Sequence, residues 1–163
     1  MSEECLLKGK RILVVDDEPD VLETLGQLLP MCDVVKASTF KKAEQLLESQ
    51  YFDIAILDIM GVDGYELLRI TKEQKVIAVM LTAHAMNIDN TARAVKEGAA
   101  SYIPKEEMRD IVTFLSDVLE AKERGKSYWW RWLDRFESYY DRRFGPEWQQ
   151  NDKEFWGKFP DNI

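Results

Sequence analysis

The chain has 163 residues, 45% apolar and 32% charged, with a net charge of −8. That length holds one ordinary core plus an extension. The acidic balance excludes a general nucleic-acid binder, which presents a basic face, and no apolar run approaches the about 20 residues a membrane helix needs. Cys5 and Cys32 have neither disulfide-framework nor zinc-site spacing, which suits a reducing cytoplasm. The opening MSEECLLKGK is too poor in apolar residues for a signal peptide.

RILVV, 11–15, is a β-branched run that ends at Asp16-Asp17. Pro19 suits the first turn of a helix, and Val21, Leu22, Leu25, Leu28 and Leu29 recur at helical spacing up to Pro30. DVVKAS, 33–38, reads as a second strand, after which Thr39 caps a helix with Phe40, Ala43, Leu46 and Leu47 on one face. FDIAILD is the third strand, and Tyr65, Leu67, Leu68 and Ile70 predict a helix after Gly64. VIAVMLT, 76–82, is a fourth strand, followed by a helix over 88–97 that Gly98 stops. SYIP, 101–104, is a short fifth strand, and Ile111, Val112, Leu115, Val118 and Leu119 line a fifth helix. Strand and helix alternate five times, which predicts an α/β fold with a five-stranded parallel sheet covered on both faces.

The composition changes near residue 122, so we divide the chain into 1–121 and 122–163. The excess acid lies in the first part, and all five tryptophans lie in the second. Trp129, Trp132, Leu133, Phe136, Tyr140 and Phe144 fall at helical spacing, and Gly145-Pro146 stops the pattern. Phe155, Trp156 and Phe159 suggest a short second element. Gly125 allows a break after the fifth helix without requiring one. A piece this short holds no core of its own. Its aromatic face needs the same chain, a second copy in a homodimer, or another protein. It carries no helix-turn-helix signature and no catalytic cluster.

Ligands of such sheets bind at the carboxyl ends of the strands. There the first strand offers Asp16 and Asp17, the third Asp58, the fourth Thr82 and the fifth Lys105. Alone, an acid after a strand often only caps a helix. Together, three close carboxylates raise a pKa or call in a cation. A few oxygen ligands with room for water suit Mg²⁺. A carboxylate beside Mg²⁺ and a lysine is equipped to attack phosphorus and form an aspartyl phosphate.

Residues 10–121 resemble the receiver domain of two-component response regulators. The resemblance rests on ILVVDDEPDV, DIAILDIMGVDGYELL, VIAVMLTAH and AVKEGAASYIPK, in that order and spacing. It implies a flavodoxin-like (βα)5 fold with Asp58 as phosphoacceptor. It makes Asp17 a direct Mg²⁺ ligand, Asp16 a ligand through water, and Asp58 and the main-chain carbonyl of Met60 the remaining protein ligands. Thr82 and Tyr102 become a switch pair, Lys105 the contact to the phosphoryl group, and His84 a modulator of its hydrolysis. The implied partners are a histidine kinase or phosphotransferase and a downstream protein, in the cytoplasm. The implied chemistry is self-catalysed phosphotransfer and dephosphorylation, with no dedicated enzymatic output.

Two departures stand out. The family's loop from this aspartate to the next glycine is two residues longer than Asp58–Gly64 and carries a Met-Pro pair. The family's Lys-Pro order is also lost, since Pro104 precedes Lys105. The short loop leaves open a phosphorylation-independent scaffold or dimerisation module. An aspartyl-phosphate hydrolase on a related sheet is a third reading.

Overall fold

The structure, a computed structural model, describes residues 6–83 and 88–159. Five strands, β1 (Arg11–Val15), β2 (Asp33–Ala37), β3 (Ile54–Asp58), β4 (Ile77–Thr82) and β5 (Ser101–Pro104), pair in the order β2-β1-β3-β4-β5. All four pairings are parallel. The order is that of the flavodoxin-like fold expected from the resemblance. Helices α1 (Pro19–Leu28), α2 (Phe40–Ser49), α3 (Gly64–Glu73), α4 (Ile88–Lys96) and α5 (Ile111–Arg124) follow the strands in turn. With right-handed crossovers, reversing direction after β2 sends α1 to the face opposite α2–α4.

Local chemistry sets most boundaries as expected. Pro19 opens α1, and the Thr39 hydroxyl caps α2 by accepting the Lys42 N–H at 3.1 Å. Gly98, at φ 98°, turns the chain after α4. The swapped Pro104-Lys105 order has a visible consequence. A 3₁₀ turn over Lys105–Asp110 leads into α5, so the fifth helix proper begins only at Ile111.

Strands β3 and β5 are buried at every residue, whereas edge strand β2 is half open. Strand β5 also ends the sheet, yet it is covered, and the residues beyond 124 cover it. Gly125, at φ 66°, closes α5, which resolves the open question of a break there. Trp129 lies in the turn that follows, and the next helix, α6, runs from Trp132 to Phe144, three residues later than the spacing of Trp129 suggests. Helix α6 packs antiparallel to α5. Arg131 meets Glu120 at 3.0 Å, Arg135 grips both oxygens of Asp117 at 2.8 and 3.0 Å, and Phe136 lies 4.7 Å from Phe114 between ring centres. On its other flank, the Tyr140 hydroxyl shares a 2.6 Å hydrogen bond with Thr91 of α4.

After Gly145, a 3₁₀ turn (Trp148–Asp152) and a short helix α7 (Lys153–Lys158) return Trp148, Trp156 and Phe159 to the same cluster. Trp132 is its hub, touching Trp129, Phe136, Tyr140, Trp156 and Phe159 with ring centres 4.9–6.4 Å apart. Two indole N–H groups reach the open side of the sheet: Trp129 donates to Ala99 O at 2.9 Å and Trp132 to Tyr102 O at 3.1 Å. Edge strands left bare invite unwanted pairing; here Trp132 of the extension donates to β5 at Tyr102. Among the described residues, no helix is long and apolar enough to cross a membrane.

Burial pushes the Tyr140 and Tyr102 phenols up from the ordinary tyrosine value of 10.0. The folded state therefore keeps protons that the unfolded chain releases. Stability is fully present below that pH and falls above it. Tyr140→Phe should flatten part of this alkaline loss. At neutral pH it should cost about 1–2 kcal/mol, because the buried Thr91 hydroxyl loses its partner. Urea unfolding at neutral and alkaline pH measures both effects.

Candidate functional site

The parallel register explains why distant residues meet. Val15 pairs with Leu57, so the next residues, Asp16 and Asp58, emerge side by side. Asp58 pairs with Leu81 and Thr82 with Pro104, which brings Thr82 and then Lys105 to the same sheet edge. Asp16, Asp58 and Thr82 are all buried.

Lys105 is the centre of charge. Its Nζ lies 2.8 Å from Asp16 Oδ2, 3.0 Å from Glu18 Oε1 and 3.5 Å from Asp58 Oδ1. Burial pulls the Lys105 pKa down, but hydrogen bonds to Asp16 and Glu18 outweigh it and hold the ammonium above its ordinary value. Burial pushes the Asp16 carboxyl up, against the opposing pull of Lys105. Asp16 Oδ1 also accepts the Glu18 N–H at 2.9 Å, which fixes the turn after β1. Asp58 Oδ2 accepts the Gly61 N–H at 3.1 Å. Each oxygen of this acid thus faces a positive or partly positive group.

The short loop works through its two glycines. A Cβ on Gly61 would sit 2.2 Å from Asp17 Oδ1, so Asp17 lies across the space a side chain would fill. A Cβ on Gly64 would meet the Asp58 carbonyl oxygen at 2.2 Å. The loop closes with Gly64 N–H donating to Ile59 O at 3.0 Å and Asp63 in the left-handed region at φ 54°. Ile59 and Val62 are buried, while the Met60 side chain is 69% exposed.

Oxygens of Asp16, Asp17 and Glu18 come within 4.8 Å of one another. Asp16, Glu18 and Asp58 face one lysine, and Asp17 lies beside them over Gly61. The surplus of hard oxygen donors fits a divalent cation such as Mg²⁺. The converging trio includes Glu18, which the strand-end reasoning passed over. Glu18 was detectable as the third acid of the run Asp16-Asp17-Glu18. Its partnership with a lysine 87 residues away was not. Nor was the Gly61 N–H, since a main-chain donor leaves no mark in side-chain identity. Tyr102 is fully buried one strand over, its phenol facing Thr82 closely enough for that hydroxyl to offset part of the burial effect. His84 lies outside the described residues.

Comparison with known proteins gives the family and the fold. Residues 12–116 match the family model of the response regulator receiver domain. The two-component response regulator ARR18 of Arabidopsis thaliana is 36% identical over 103 residues, covering 60% of this chain and 16% of the relative. The heme response regulator HssR of Staphylococcus aureus (strain Newman) is 31% identical over 112 residues, covering 66% of this chain and 50% of the relative. The chain thus spans half or less of the length of these curated relatives. Among solved structures, a CheY-like receiver domain protein from Methanospirillum hungatei superposes with a TM-score of 0.65 at 30% identity, over 72% of this chain and 99% of that one. A receiver domain protein from Clostridium thermocellum gives 0.61 at 26%, over 71% and 97%.

The two glycines should separate in experiment. Gly61→Ala meets only the flexible end of Asp17, so it should leave stability nearly unchanged and weaken Mg²⁺ binding about tenfold by calorimetry. Gly64→Ala meets main chain and should lower the unfolding free energy by about 1–3 kcal/mol.

Proposed function

The chain belongs to the response regulator receiver domain family, and we propose that it is a phosphorylatable switch that takes a phosphoryl group on Asp58. The observation that carries this reading is the buried Asp58 carboxylate held between Lys105 Nζ at 3.5 Å and the Gly61 N–H at 3.1 Å. An Asp58 oxygen attacks the phosphorus of a phosphohistidine on a histidine kinase or phosphotransferase. The P–N bond breaks as the new P–O bond forms, and the leaving imidazole takes up a proton. Lys105 neutralises charge on the transferred group. Thr82 donates a hydrogen bond to a phosphoryl oxygen of the product. Asp16 and Asp17 would hold Mg²⁺, with Glu18 within reach of the same site and Asp58 and the Met60 carbonyl completing the set. Bound there, the cation supplies further neutralisation of the phosphoryl oxygens. Attack by water on the acyl phosphate restores Asp58 and releases phosphate, with His84 as a modulator of that step.

The signal leaves the site through protein–protein contact, in the cytoplasm. A phosphoryl group biases a conformational equilibrium only through contacts that differ between the states. Thr82 and Tyr102 are the pair proposed to carry that difference. Tyr102 already points inward, beneath the aromatic extension. The aromatic face that a second copy or another protein could bind is spent within the chain. A downstream partner therefore meets the outer face of α6 or displaces it.

Intact mass after incubation with a small acyl-phosphate donor, with and without Mg²⁺, tests the proposal. We expect a Mg²⁺-dependent gain of one phosphoryl group in wild type and none in Asp58→Ala. A wild type that gains nothing from either the small donor or a phosphorylated histidine donor domain would favour the phosphorylation-independent scaffold.

A further inference from the structure

The extension touches the chain on both sides of Lys105. Trp132 donates its indole N–H to the carbonyl of Tyr102, three residues before the lysine. The Tyr139 hydroxyl donates to Glu106 Oε1 at 2.9 Å, one residue after it. Both donors stand on α6, which is anchored to α5 by the Arg135–Asp117 pair and to α4 by Tyr140 and Thr91. The gripped segment includes the end of β5 and the first residues of the 3₁₀ turn over Lys105–Asp110. A 3₁₀ turn has poorer hydrogen-bond geometry than an α-helix and is seldom self-sufficient at this length. Within it Lys105 must hold its ammonium against Asp16, Glu18 and Asp58.

We infer that the C-terminal extension is a clamp on Lys105, with Trp132 and Tyr139 as positioning residues for phosphoryl transfer. The inference rests on the reading of Asp58 as phosphoacceptor. The rigid helix α6 fixes the main chain at Tyr102 and the side chain at Glu106. The lysine between them loses freedom it would otherwise have to give up in the reaction. Coupling of this kind is reciprocal. If docking of the extension favours the phosphoryl-ready lysine, a phosphoryl group on Asp58 tightens the extension by the same factor. The extension is thereby both a structural cover for β5 and the element that senses the site.

Tyr139→Phe is the decisive variant, because it keeps the ring and removes only the hydroxyl. Uptake of phosphoryl from a small acyl-phosphate donor should slow about fivefold, the size of one lost hydrogen bond. Glu106→Ala should reproduce the effect. In a Lys105→Ala background Tyr139→Phe should add nothing, since its action passes through the lysine. Asp141→Ala removes the acceptor of the Trp148 indole and loosens the extension away from Lys105, and should leave the rate unchanged. An unchanged rate in Tyr139→Phe, an additive double variant, or equal slowing in Asp141→Ala would each overturn the clamp.

Hydrogen exchange is read on the same proteins. Tyr139→Phe should speed exchange over 102–110 and leave the amides of β1 and β3 unaltered. This arm separates the two ideas. A wild type that takes up no phosphoryl group defeats the Asp58 reading, and exchange over 102–110 then decides the clamp alone, with no change in Tyr139→Phe overturning it.

Discussion

Lys105 comes off the end of β5 and places one ammonium among Asp16, Glu18 and Asp58. Two of those acids are almost wholly removed from water. Carboxylates buried together repel each other and lose hydration, so burying them calls for an opposing charge. The rest of the architecture can be followed from this requirement. The lysine reaches the acids only if β5 runs parallel to β4 and ends at the same edge as β1 and β3. The sheet order and register secure that arrangement. One lysine still leaves the cluster negative, which is why the same edge suits a divalent cation.

The demand on β5 explains the extension as well. The terminal strand that leads into Lys105 has one side without a sheet neighbour. Here the indoles of Trp129 and Trp132 and the aromatic cluster behind them close that side. Aromatic side chains suit the task because they remove a large apolar area from water while keeping a polar N–H or O–H for a specific partner. The helix that covers the strand also contacts the segment on both sides of Lys105.

The loop after Asp58 is drawn in by close backbone approach. With no room for the longer turn, the chain brings its backbone close enough that Gly61 donates to Asp58 and Asp17 lies over the glycine. Close approach of the backbone sets these contacts. The change is invisible to any reading that attends only to which acids are present.

The amino-acid sequence by itself determined the alternation of strands and helices, the parallel sheet, and the acids, threonine and lysine at strand ends. These are legible because local periodicity reports which face of an element is buried, and the end of an apolar run marks the end of a strand. It also showed that an aromatic extension follows α5, and that this face must be covered. What covers it was decided by tertiary structure alone. Thr91 and Tyr140 are 49 residues apart, and Lys105 and Glu18 are 87 apart. Apolar spacing measures how much surface an element must hide and carries no record of its partner. The Gly61 N–H and the Tyr102 carbonyl are main-chain groups that every residue but proline or every residue possesses. Their roles arise only when the fold brings a particular side chain against them.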